Sequence, residues 1–350
     1  MGRNIVLCFD GTNNQYAATN TNVVKLYAML DRNADDQLTY YQPGIGTFAP
    51  PGVWGKTKRW FITRLDLAVA WLLEDHVTDG YRFLMRYYQP GDKIFIFGFS
   101  RGAYTARAVA AMIYKVGLLT PGNEELLPFA WHMFKREKNE ELYDGFRHTF
   151  SRNVPIHFLG LWDTVSSVGW MWNPQALQFT ANNPGVEIVR HAIALDERRA
   201  YFPTNLWGHD PKMPTDVEQV WFPGVHCDVG GGYIEREAGL SKITLKWMVE
   251  KAEASHLKFN QTARDIILPA HDTAEYVAPN PAAMQHESLR GWWWIAEYFP
   301  KPYKDPAAGF ATHWRINAGK HRYVPPGSKI DPSVFERMKS VPSYQPPNLP

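Results

Sequence analysis

Apolar residues in this chain follow two rhythms. Short continuous runs, Ile5 to Phe9, Ile94 to Phe97, Ile156 to Trp162 and Val217 to Val225, have the character of strands buried on both faces. Between them, apolar positions recur every three or four residues over Thr63 to Glu74, Gly80 to Tyr88 and Ile243 to His256, which is the period of a helix packed on one side. This alternation predicts an α/β fold: a mostly parallel central sheet with helices on both faces. Right-handed crossovers then carry the carboxyl ends of the strands to one rim, where sites of open α/β sheets form.

The pattern sets an expected organisation. A core spans 1–260, with insertions at about 121–152 and 166–215 forming a partial cap. Lys135 to Glu141 reads as a solvated helix face, whereas Trp170, Met171, Trp172, Leu177 and Phe179 read as an apolar pocket wall. From about 261 prolines accumulate, and the remainder reads as a Pro- and Trp-rich extension packed on the core, with a tail from about 340.

One junction carries chemistry. The run Ile94 to Phe97 leads into Gly98-Phe99-Ser100-Arg101-Gly102, and Ala103, Ala106, Val109, Ala110, Ile113 and Val116 follow at helical spacing until Gly117. Strand, G-x-S-x-G and helix in that order describe a nucleophile elbow, in which glycines leave room for a serine on a sharp turn. Ser100 is therefore the candidate nucleophile. A serine hydroxyl needs an imidazole held by a carboxylate. His226, after the strand VEQVWFPGV, and Asp163, ending IHFLGLW, both fall on the expected rim and are the candidate base and acid. Asp228 and Asp196 are the fallback acids, and His191 and His286 the fallback bases. For an oxyanion, backbone N–H groups are expected from Arg101 and from the loop after the first strand, at Gly11 or Thr12. Asp10 fits that role poorly because its charge repels an oxyanion; it is expected at the pocket, holding the loop or pairing with Arg101. Trp170 and Trp172 complete the expected substrate pocket.

Composition narrows the classes. The 350 residues are 45% hydrophobic and 21% charged with net charge +2, and no basic block suggests a nucleic-acid partner. Cys8 and Cys227 are too few for a disulfide framework and suit a reducing compartment. No apolar stretch has the length of a signal peptide or a membrane span, and Val6 stands where a myristoylation motif needs Ser or Thr. The expectation is a chain that is cytoplasmic as synthesised, without an integral membrane segment but open to peripheral membrane contact.

Taken together, FDGTNN, YYQPGIGT, PGDKIFIFGFSRGAYTAR, LGLWDTV, HAIALDERR and FPGVHCDVGGGY resemble the DUF2235 family, the Tle1-like catalytic domain of type VI secretion phospholipase effectors. The resemblance implies an α/β-hydrolase fold, a serine esterase or lipase acting on lipid or small-molecule esters without cofactor or metal, and possible export by type VI secretion. By matching motifs it carries the nucleophile onto Ser100, the base onto His226 and the acid onto Asp163. Two other readings are weighed. One is a metal-dependent hydrolase using Asp10, Asp163, His226 and Asp228. The other is a non-catalytic module binding carbohydrate or lipid through Trp170, Trp172 and Trp292 to Trp294.

Overall fold

The computed structural model describes residues 2–11, 19–44, 58–136, 139–165, 177–208, 215–305 and 311–350. The chain begins with β1 (Asn4–Phe9), α1 (Asn22–Met29), β2 (Gln37–Gln42), α2 (Lys58–Tyr87), β3 (Lys93–Phe99) and α3 (Arg101–Val116). A short pair, β4 (Leu118–Leu119) and β5 (Ser151–Arg152), encloses α4 (Leu127–Arg136) and α5 (Glu140–Phe150). Next come β6 (Ile156–Trp162), β7 (Val186–Ala194), β8 (Asp216–Phe222), α6 (His226–Gly230) and α7 (Gly239–Ala254). The last part holds α8 (Gln261–Ile267), α9 (Trp292–Glu297), the hairpin β9 (Lys301–Asp305) and β10 (Ala311–Arg315), β11 (Lys329–Ile330) and α10 (Pro332–Ser340).

Among the described residues the main sheet has seven strands in the order β11-β8-β7-β6-β3-β1-β2, and every pairing in it is parallel. Successive residues feed opposite cores because side chains alternate across a strand. Ile5, Leu7, Ile94, Ile96, Leu159 and Leu161 pack under α2, α3, α4 and α5. Val6, Cys8, Phe95, Phe97, Phe158 and Trp162 pack against α1 and α7. The chain leaves β1 in one direction to β2 and in the other to β3, so the carboxyl ends of β1 and β3 border a topological switch point.

Several expectations change. The two helices expected over 63–74 and 80–88 are one helix, α2. Gly80 does not start a helix; its Cα faces the Phe9 ring so closely that a Cβ there would lie 2.6 Å from Cζ. The stretch 166–215, expected as an insertion, supplies β7, a central strand between β6 and β8. Its polar members hid it: Glu187 is exposed, and Arg190 and His191 interrupt the apolar run. The last ten residues, expected as a tail, lie against the core instead. Tyr344 is buried and donates its hydroxyl to Asp196 at 2.9 Å, and Asn348 donates to the Leu195 and Arg322 carbonyls.

Candidate active site

The turn after β3 is tight. Ser100 adopts φ 58° and ψ −121°, a left-handed backbone that side chains other than glycine rarely take. The flanking glycines are a steric necessity. A Cβ on Gly98 would lie 2.4 Å from the Gly102 carbonyl oxygen, and one on Gly102 would lie 2.2 Å from that of Phe9. The serine is thereby held at the first turn of α3, whose leading N–H groups lack intrahelical acceptors.

His226 arrives by a second tight construction. After β8, Gly224 takes φ 106° and the Asp228 carboxylate accepts the Val225 N–H at 3.0 Å, closing the start of α6. The glycines that follow let α6 lie on the end of β3, for a Cβ on Gly230 would sit 1.9 Å from the Phe99 ring. Phe99 and Phe202 then flank the imidazole, with ring centroids 4.6 and 4.8 Å away. Asp163, straight after β6, has φ 38° and is anchored by its own N–H to Ala192 at 2.7 Å.

These three constructions bring the side chains together. His226 Nε2 lies 2.8 Å from Ser100 Oγ, and His226 Nδ1 lies 2.5 Å from Asp163 Oδ2. All three residues are buried. Asp163 also accepts the Ala194 N–H at 3.0 Å and both ends of the Arg322 guanidinium. Burial alone would push the Asp163 carboxyl up, but the charge of Arg322 and the bond to His226 outweigh it and hold the group well below the usual carboxylate range.

The remaining expected residues divide. Arg101 opens α3 beside Ser100, and burial lowers its guanidinium to about 10. The Gly11 N–H, expected to face an oxyanion, donates to the Asp10 carboxylate at 2.7 Å. The Asp10 carboxylate also accepts the Thr21 and Tyr41 hydroxyls at 2.9 Å. Burial raises it to about 6 against those hydrogen bonds. Thr12, Trp170 and Trp172 lie outside the described residues.

The fallback residues are engaged elsewhere. Asp228 binds His286 Nδ1 at 2.7 Å, Asp196 takes the Gly224 N–H at 2.6 Å and the Tyr344 hydroxyl, and His191 meets Gln219 at 3.2 Å. For the same reason Asp10, Asp163, His226 and Asp228 do not form a common ligand set. Among the described residues no group of three His, Cys, Asp or Glu is placed to hold a metal ion.

Two residues of this network were not singled out as site residues. Glu197 is fully buried and accepts the His226 N–H at 3.2 Å, the Ser288 hydroxyl at 3.0 Å and a bidentate Arg199 at 2.9 Å. Burial is outweighed by Arg199, and Glu197 falls to about 2. Its signal in HAIALDERR was indirect: the carboxylate that directly follows the apolar run is Asp196, and Glu197 comes one position later, next to the arginine pair. Arg322 sits among prolines far along the chain and carries no local signal.

The chain is 41% identical over 231 residues to the uncharacterized protein YEL023C of Saccharomyces cerevisiae, a match covering 61% of this chain and 34% of that protein. It therefore spans about a third of its relative's length. Two solved structures are similar to it. One is an uncharacterized protein from Pseudomonas aeruginosa, with TM-score 0.42, 21% identity and coverage of 74% of this chain and 46% of that one. The other is the Tle1 effector bound to the VgrG spike from the type VI secretion system, with TM-score 0.49, 16% identity and coverage of 77% and 76%. The family model for the phospholipase effector Tle1-like catalytic domain of type VI secretion matches residues 3–251, and the chain belongs to that family.

Proposed function

We propose that this protein hydrolyses carboxylic esters through an acyl intermediate on Ser100, with phospholipid acyl esters as the substrate class to which its family points, and that it is an α/β-hydrolase. One observation carries the reading: an unbroken hydrogen-bonded series from Ser100 Oγ through His226 to Asp163, at 2.8 and 2.5 Å, built on a strained turn.

In this mechanism His226 Nε2 takes the proton as Ser100 Oγ attacks the ester carbonyl. Asp163 on Nδ1 fixes the tautomer and balances the imidazolium. The tetrahedral oxyanion meets the Arg101 N–H at the start of α3, where the helix dipole also favours negative charge. Gly11 becomes a second donor only when its N–H leaves the Asp10 carboxylate; Thr12 is the alternative. Collapse expels the alcohol with the proton from His226, and water, activated by the same imidazole, releases the acid. No metal or cofactor enters the scheme.

Apolar surface beside the site supports a lipid substrate. Trp293 packs on Phe202 at 5.8 Å, Phe202 packs on His226, and Trp294, Tyr298 and Phe299 nearby in sequence are exposed. Among the described residues no helix is long and apolar enough to cross a membrane. Export by type VI secretion is the delivery that the family name implies for its members, and stands here as a proposal.

The test is a panel of p-nitrophenyl esters of rising chain length beside phosphatidylethanolamine, hydrolysed by wild type and Ser100→Ala. The reading expects Ser100→Ala to lose about 10⁴-fold or more in kcat while folding normally. A fully active Ser100→Ala protein contradicts it.

A further inference from the structure

The family match ends at residue 251, yet a residue from the extension reaches the candidate acid. Arg322 is 9% exposed. Its Nη1 lies 2.6 Å from Asp163 Oδ1 and its Nη2 lies 3.1 Å from Oδ2. The same two nitrogens donate to the Ala194 carbonyl at 2.9 Å and the Phe202 carbonyl at 2.7 Å. A fork tied to two backbone carbonyls keeps its plane, so it presents a fixed template to the carboxylate. Asp163 thus has four donors: the two from Arg322, the Ala194 N–H and His226 Nδ1.

We propose that Arg322 is a positioning residue of the catalytic centre, aligning the Asp163 carboxylate with His226 and tempering its pull on the imidazole proton. The inference rests on the serine-hydrolase reading above. Its physical basis is geometric and electrostatic at once. A carboxylate with two free lone-pair directions rotates; one clasped by a planar fork offers Oδ2 to Nδ1 in a single orientation. A carboxylate facing only an imidazole also stabilises the imidazolium fully, whereas one shared with a guanidinium stabilises it less. Removing the arginine is therefore expected to change the pH dependence of the reaction at Ser100.

The ionisable groups around this carboxylate are few. From α6 comes His226, and from β7 comes His191, whose Nε2 accepts the Thr164 N–H beside Asp163. Glu197 holds the His226 N–H and is itself paired with Arg199, and Arg107 acts on His191 from beyond it. Among the described residues the arginine paired with Asp163 is Arg322. Removing it therefore changes the local charge without an obvious substitute.

The experiment measures the rate at which a fluorophosphonate labels Ser100 as a function of pH, which needs no knowledge of the natural substrate. It compares wild type, Arg322→Met, Arg322→Lys and a control, Arg337→Met, with melting curves for each. Arg337 is another buried arginine of the extension, bonded to the Pro281 and Ala283 carbonyls and not to Asp163. Arg322→Met is expected to lower the plateau rate about 100-fold and to move the acid limb about one pH unit upward. Arg322→Lys keeps the charge but not the fork, so its plateau falls while its limb stays near wild type. Arg337→Met should melt earlier with limb and plateau unchanged. Should Arg322→Met fail to fold, Arg322→Lys decides: a lowered plateau supports the inference and a wild-type plateau overturns it. Folded Arg322 variants with wild-type rates and limbs also overturn it, as does a limb that moves equally in Arg337→Met. A wild type that is not labelled at Ser100 contradicts the serine-hydrolase reading itself.

Discussion

Ser100 and Asp163 share a backbone cost. Both have positive φ, 58° and 38°, without being glycine, and such residues store about 1–3 kcal/mol each when the surroundings hold them there. Comparing two substitutions that both lack the hydroxyl isolates that cost: Ser100→Gly should be more stable than Ser100→Ala by about 1–2 kcal/mol, read from denaturant midpoints. The order is the reverse of that in an ordinary helix. Glu197 allows a second prediction. Its folded value is depressed from 4.5 to about 2, so its stabilisation is fully present above 4.5 and is lost as pH falls through about 2. That difference is worth about 3 kcal/mol. Chemical denaturation between those pH values should show wild type losing stability steeply and Glu197→Gln, less stable at neutral pH, losing less. Equal slopes would assign the acid lability to other carboxylates. At this scale Ser100 and Asp163 stood out because each directly follows an apolar strand, and His226 because it opens α6 just beyond the apolar end of β8. Arg322 was not, because its contact with Asp163 spans 159 positions and no local pattern encodes it.

At the scale of elements, glycine is where sequence and structure part. A glycine in a helical stretch suggests a boundary, and Gly80 suggested one, yet α2 runs through it to Tyr87. The Phe9 ring, buried under that helix, needs the space. Gly80→Ala should therefore lower stability by about 1–3 kcal/mol from overpacking, although an alanine at an open helix position would raise it by about 1 kcal/mol. A thermal melt with a higher midpoint than wild type would show that Phe9 can move aside. The strands read from apolar runs match the structure most closely where both faces are buried, as for β6, found over Ile156–Trp162 as the pattern predicts. β7 has burial at one end and charges at the other, and β2 has half-buried tyrosines along the sheet edge, so neither shows a clean period. Both contribute to the sheet through their neighbours rather than through a pattern of their own.

For the whole molecule, the parallel sheet explains why the site lies where it does. Every strand of the main sheet points its carboxyl end to the same rim, and β3, β6 and β8 deliver Ser100, Asp163 and His226 there. The alternation of strand and helix made that rim predictable. What it hid was the role of the last ninety residues. They add β11 to the sheet edge, and Val324, Val334 and Tyr344 form a third apolar cluster with Ile193, Leu195 and Trp221. From this base the extension sends His286 to Asp228, Ser288 to Glu197 and Arg322 to Asp163. A proline-rich sequence signals irregular backbone and says nothing about such reach.

The central claim is a covalent acyl-enzyme on Ser100, and rapid-quench mass spectrometry of the intact protein with a p-nitrophenyl ester observes it directly. The account predicts a mass gain equal to the acyl group, localised by proteolysis to the peptide containing Ser100 and missing from Ser100→Ala. Ester turnover by wild type with no adduct at Ser100, matched by undiminished turnover in Ser100→Ala, would contradict it.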